Sequence, residues 1–140
     1  MALIAFTIEG NGVEPDGNAL PKIRKTRGQS WTEPVQRYIK WKRYVQLTYA
    51  KYLEEHATKP IYNEAARRII QNKKPIAGIA EASMGIEIYW HDERHGDPEG
   101  IFGSIADALF ENDKHLAIDY VRFHHPEDKK GKVNIKINIH

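Results

Sequence analysis

The sequence predicts an α+β fold: a small mixed β-sheet with helices packed against it, in a single domain over residues 1–140. Three observations predict it. Apolar residues alternate with period two near both ends of the chain, and they recur at three- and four-residue spacing in segments between those ends. No internal repeat or low-complexity tract divides the 140 residues, which are enough for one core but short for two. With 41% apolar and 29% charged residues the chain can bury that core and solvate its surface, so global disorder is excluded.

The first element is a strand over Leu3 to Glu9, where Leu3, Ala5 and Thr7 alternate with Ile4, Phe6 and Ile8. Two apolar sets suit a strand covered on both faces. Gly10-Asn11-Gly12 ends it, and a long loop rich in Gly, Pro, Asn and Asp runs to Ser30. Ser30 or Thr32 then caps a helix, with Glu33 and Pro34 in its first turn. Val35, Tyr38, Trp41, Val45, Tyr49 and Tyr52 make its apolar stripe and leave Arg37, Lys40, Arg43 and Lys51 on the outer side. Asn63 caps a shorter helix through Ile70, which Asn72 and Pro75 bring to an end.

Met84, Ile86, Ile88 and Trp90 alternate with Gly85, Glu87 and Tyr89, the period of a strand with one buried face. After the charged loop His91 to Gly96, Asp97-Pro98 starts a helix whose apolar face is Ile101, Phe102, Ile105, Ala108 and Leu109, as far as Phe110. Leu116 to Phe123 and Lys132 to His140 are the last two strands, and the polar turn Glu127 to Gly131 joins them as a closing hairpin.

Composition narrows the chemistry. With no cysteine there are no disulfides, thiolate nucleophiles or thiolate metal sites, so a metal would sit on oxygen or imidazole. No run of eighteen apolar residues is present and the amino terminus lacks signal-peptide features, so a cytoplasmic protein with no membrane partner is expected. Net charge is only +2, but Lys22, Arg24, Lys25, Arg27, Arg37, Lys40, Lys42, Arg43 and Lys51 fall in one segment against a single acid, Glu33. Trp31, at the mouth of that basic loop, is the best aromatic candidate for stacking on a base. His91, His95 and the His124-His125 pair have no zinc-motif context and read as surface residues.

Four acids surround the last helix: Asp97 and Glu99 at its start, Asp107 and Asp113 about its end. A hard divalent cation needs only one or two protein carboxylates plus waters and phosphate oxygens. Spacing fits a metal site, but by itself it fits better an N-cap at Asp97 with a favourable helix-dipole position at Glu99, because caps are far commoner than metal sites.

The run Gly96-Asp97-Pro98-Glu99-Gly100-Ile101, then Ile105-Ala106-Asp107-Ala108-Leu109 and Asn112-Asp113, resembles the RusA family of phage Holliday-junction endonucleases, in which G-D-x-D-N leads into a helix ending D-A-L and then a D-D pair. Ile8-Glu9-Gly10, the basic Lys22, Arg24 and Arg27, Trp31-Thr32 and Tyr38 are similar too, so the resemblance covers most of the chain apart from Lys59 to Gly78. It implies a homodimeric endonuclease acting on branched DNA in recombination and repair. Asp97, Glu99 and Asp113 would hold Mg²⁺, with Mn²⁺ as a substitute, and Asp107 would support them. Lys22, Arg24, Lys25, Arg27, Arg37, Lys40 and Arg43 would grip phosphates. Four positions depart from the pattern: Glu99 for aspartate, Gly100 for asparagine, Gly103 for lysine and Asn112 for an acid. They imply weak cleavage, or a branched-DNA-binding protein that has lost it, unless Lys114 or His95 replaces the missing cation.

Overall fold

The computed structural model describes residues 2–23, 32–125 and 130–140. Strand β1 (Ala2–Glu9) is followed by helices α1 (Glu33–His56) and α2 (Lys59–Ile70), strands β2 (Ile76–Ile79) and β3 (Ala82–Tyr89), helix α3 (Pro98–Leu109), and strands β4 (Phe110–Asn112), β5 (Leu116–His124) and β6 (Lys132–Ile139). A four-stranded mixed sheet has the order β1-β6-β3-β5, and β2 and β4 form a separate two-stranded parallel sheet.

β6 runs antiparallel to β1, from Ala2↔Ile139 to Glu9↔Lys132, and antiparallel to β3, from Ala82↔Ile139 to Tyr89↔Lys132. The expected closing hairpin is therefore corrected: β3 lies between β5 and β6, and those two strands are not paired. Burial explains the choice. Val133, Ile135 and Ile137 on β6 are sealed in the core, which favours a central strand, whereas Ile118 and Phe123 on β5 are exposed and β5 takes an edge. Of the turn thought to close the hairpin, Glu127, Asp128 and Lys129 lie outside the described residues.

Ile4, Phe6 and Ile8 of β1 join Met84, Ile86 and Ile88 of β3 and the inner residues of β6 in one cluster with Tyr38, Trp41, Val45 and Tyr49 of α1 and the apolar face of α3. Among the described residues only that face of the sheet is covered by helices. The reading of β1 as covered on both faces is corrected, since Leu3 is 56% exposed and Ala5 and Thr7 also face outward. The open face is polar: the Thr7 hydroxyl donates to Asn134 Oδ1 at 2.8 Å, the Tyr89 hydroxyl donates to Glu87 at 2.8 Å, and Lys132 lies over the Tyr89 ring.

α2 begins at Lys59 rather than at Asn63, because Thr58 adopts the extended N-cap backbone and Pro60 suits the first turn. Asn72, at φ 60°, takes the left-handed conformation just past its end. β2 and β4 were not foreseen: at four and three residues they are too short to show a period. Parallel strands need a crossover connection, and α3 supplies it between β3 and β5. Among the described residues no helix is long and apolar enough to cross a membrane.

Candidate functional site

The β3–α3–β5 crossover decides where the four acids go. Asp97 follows the end of β3, where Tyr89 pairs with His124, and Asp113 precedes the start of β5, where Ala82 pairs with Leu116. The twelve residues of α3 between them span about 18 Å at 1.5 Å per residue. Asp97 and Glu99 therefore stand at one end of α3, and Asp113 of the same chain follows its other end.

Asp97 caps α3, its Oδ2 accepting from the Gly100 N–H at 3.1 Å. Glu99 stands in the first turn, where the helix dipole favours a negative charge. Both residues are exposed, and neither forms an ion pair with another described residue. Asp113 is exposed as well, and its carbonyl accepts the Leu116 N–H at 3.0 Å.

Asp107 belongs to a different kind of site. Lys74 Nζ lies 2.9 Å from its Oδ1, and its Oδ2 accepts from Lys42 Nζ at 3.2 Å and from the Tyr38 hydroxyl at 3.1 Å. Burial alone would raise its pKa, but the two ammonium groups outweigh that and hold the carboxyl at about 2 rather than 3.8. Burial and the same carboxylate push the Tyr38 phenol well above its usual range. Nearby, Glu111 is paired with the largely buried Arg68, and His115 with Glu81. The structure gathers no group of three or more His, Asp or Glu side chains able to hold a metal among the described residues. Asp97 and Glu99, both exposed at the start of α3, are two carboxylates, the number a hard cation takes from a protein when phosphate and water supply its remaining ligands.

Across from this pair runs the loop after β1. Asn11, almost fully buried, accepts from the Val13 and Glu14 N–H groups at 3.0 and 2.7 Å and donates to the Asn18 carbonyl at 3.0 Å. This Asn-centred turn sends the chain back along α3, where the Lys22 N–H donates to the Gly100 carbonyl at 2.8 Å. The start of the basic run thereby sits on the helix that carries Asp97 and Glu99.

The other sequence-selected cations divide. Arg37 pairs with Glu14 at 2.7 Å, and that bond holds the Glu14 carboxyl below its usual range. Arg43 donates to the Ile69 carbonyl at 3.1 Å and so points toward α2, away from the loop that Arg37 meets. Lys40 is exposed on α1. Arg24, Lys25, Arg27 and Trp31 lie outside the described residues. The His95 ring stacks on Trp90 with centroids 3.7 Å apart, and Lys114 lies beside Asp113 at the far end of α3.

A cleft of about 510 Å³ opens beside the amino-terminal end of α3, lined by Asn11, Glu14, Asn18, Arg37, Arg94 and His95 among others. Sequence reasoning missed Asn11 and Asn18, which shape this wall; the only local signal was the Gly-Asn-Gly turn. No protein-family model matches the chain, and no curated protein matches it in sequence.

Proposed function

We propose that the chain is a metal-dependent, structure-selective endodeoxyribonuclease of the RusA type, a cytoplasmic homodimer that cuts Holliday junctions or other branched DNA. One observation carries this reading. The basic run starting at Lys22 and the acidic helix start at Asp97 are far apart in sequence, yet Lys22 is hydrogen-bonded to Gly100. Cutting a phosphodiester needs both charges at one point: cations to hold the phosphate, and carboxylates to bind a hard ion and orient water.

Asp97 and Glu99 would hold Mg²⁺ or Mn²⁺, which when bound supplies neutralisation of the phosphate and activation of the attacking water. Because α3 keeps Asp113 about 18 Å from Asp97 in one chain, Asp113 of a second copy would complete the site. A dimer also fits a four-way junction, whose near-twofold symmetry requires two opposed cuts. Lys22, Lys40 and Arg37 would contact phosphates without reading sequence, joined by Arg24, Lys25 and Arg27.

A second reading, a protein that binds branched DNA without cutting it, is favoured by the Asp97 carboxylate being engaged as a cap and by the glycines at 100 and 103. Incubating a synthetic four-way junction with the protein and Mg²⁺, Mn²⁺ or no divalent ion separates the two. Symmetric cuts leaving 5′-phosphates only with metal are expected; salt-sensitive binding with no product under either ion would overturn the nuclease reading.

A further inference from the structure

A groove of about 550 Å³ lies between α1 and the carboxy-terminal end of α2. Two isoleucines flank it. Ile39 lies off the buried stripe of α1 and is 44% exposed, and Ile70, the last residue of α2, is 81% exposed. The buried Ile69 forms the base of the groove. One exposed aliphatic side chain is ordinary on a protein surface. Two of them, brought from different helices to the walls of one groove, make a seat for an apolar group.

The rest of the groove is basic. Lys42, Arg43 and Lys74 line it, and among the described residues no acid does. The fold holds each cation in place. Lys42 and Lys74 share the Asp107 carboxylate, and the Lys74 carbonyl accepts from Arg68 Nε at 2.8 Å. Arg43, one helical turn after Ile39 on the same face of α1, donates to the Ile69 carbonyl at 3.1 Å. Asp107 matches one of the two lysine charges, and the Ile69 carbonyl is neutral, so the groove keeps an excess of positive charge beside its apolar walls.

We propose that this groove docks a short acidic segment of a partner protein, one that carries a leucine- or phenylalanine-sized side chain beside its carboxylates. The inference is independent of the endonuclease reading, since it uses none of the acids at the start of α3. The apolar side chain sits between Ile39 and Ile70, and the carboxylates meet Lys42, Arg43 and Lys74. Charge and shape select this occupant together. A purely apolar segment would strip water from the cations and give them nothing in return. A nucleic-acid backbone would suit the cations but brings no apolar group to the isoleucines. Because the cations are already held by Asp107 and the Ile69 carbonyl, less side-chain freedom is lost when the carboxylates arrive.

The test titrates the full chain into an array of fluorescein-labelled octapeptides, each with three aspartates and two leucine or phenylalanine residues at varied spacing, and reads anisotropy. The best of them is expected to bind with a Kd on the order of 10 µM, in the range of small transient contacts. Replacing its aspartates by asparagine should weaken binding by about tenfold, and raising the salt should weaken the acidic peptide alone. Ile70→Ser should cost about tenfold, and Arg43→Gln about fivefold. Ile79→Ser, at an exposed isoleucine outside the groove, should stay within about twofold of the natural chain. Ile70 is so exposed that its variant tests the groove even if Arg43→Gln fails to fold. No binding across the array overturns the proposal, as does equal loss from Ile70→Ser and Ile79→Ser. A labelled thymidine octanucleotide that binds more tightly than every peptide, and is weakened by Arg43→Gln but not by Ile70→Ser, makes the groove a phosphate surface and overturns it. A dimer that Ile70→Ser converts to a monomer in sedimentation gives the groove to a second copy and overturns it too.

Discussion

At the amino-terminal end of α3, Asp97 and Glu99 stand exposed with no ion pair to a described residue, whereas near its carboxy-terminal end Asp107 is held by Lys42, Lys74 and the Tyr38 hydroxyl, and Glu111 holds Arg68. The same residue type serves two purposes on one helix. Around Asp107 the carboxylate joins α1 to the segment before β2, and its charge is matched where burial makes an unmatched charge costly. Around Asp97 the carboxylate satisfies one backbone donor of the helix start and keeps lone pairs toward solvent. A paired acid holds the fold together, and an exposed one at a helix start keeps its remaining lone pairs in solvent.

The sharpest way to break this contrast is Asp97→Asn. Asparagine caps a helix about as well as aspartate, so the melting temperature should stay near that of the natural protein. Cleavage of a four-way junction should fall on the order of 1,000-fold. Retained activity would place the site elsewhere. Mixing this variant with Asp113→Asn sharpens the point. If Asp113 acts on the site of the second copy, mixed dimers contain one intact site and regain cleavage, seen as nicking of one strand; if each chain builds its own site, the mixture stays inactive.

Asp107→Asn should reverse the pattern, with folding stability lost by about 2 kcal/mol in urea titrations and cleavage little changed. The pH dependence has a definite sign. The folded carboxyl is depressed, so its contribution is complete above the ordinary 3.8 and disappears as pH falls through about 2. The difference in stability between the natural chain and Asp107→Asn should therefore shrink across that acid range. A difference that grows there would contradict the pairing with Lys42 and Lys74.

The smallest effect is expected at Gly103→Ala. Its Cβ would meet Lys22 at ordinary van der Waals distance, so the helix should gain up to about 1 kcal/mol, read as a higher melting temperature. Gly96→Ala, which would meet Pro21 at 2.6 Å, should instead displace the chain at Pro21 and lower it. Equal behaviour of the two variants would mean that this segment does not lie on α3.

Much of the chain was legible because its signals are local. The stripe of Val35, Tyr38, Trp41, Val45 and Tyr49 specifies α1, the alternation of Met84, Ile86 and Ile88 specifies β3, and Asp97-Pro98 marks the start of α3 within a few residues of sequence. The acids and the basic run of the candidate site could be named for the same reason. Tertiary structure alone decided that β6 enters between β1 and β3, because the choice of strand partner depends on which apolar faces the whole sheet can bury. It alone committed Asp107 to lysines from two distant segments, and it alone laid Pro21 and Lys22 across Gly96, Gly100 and Gly103. Periodicity and caps are read within a turn or two of chain, whereas these contacts join residues more than thirty positions apart, and only packing brings them to one place.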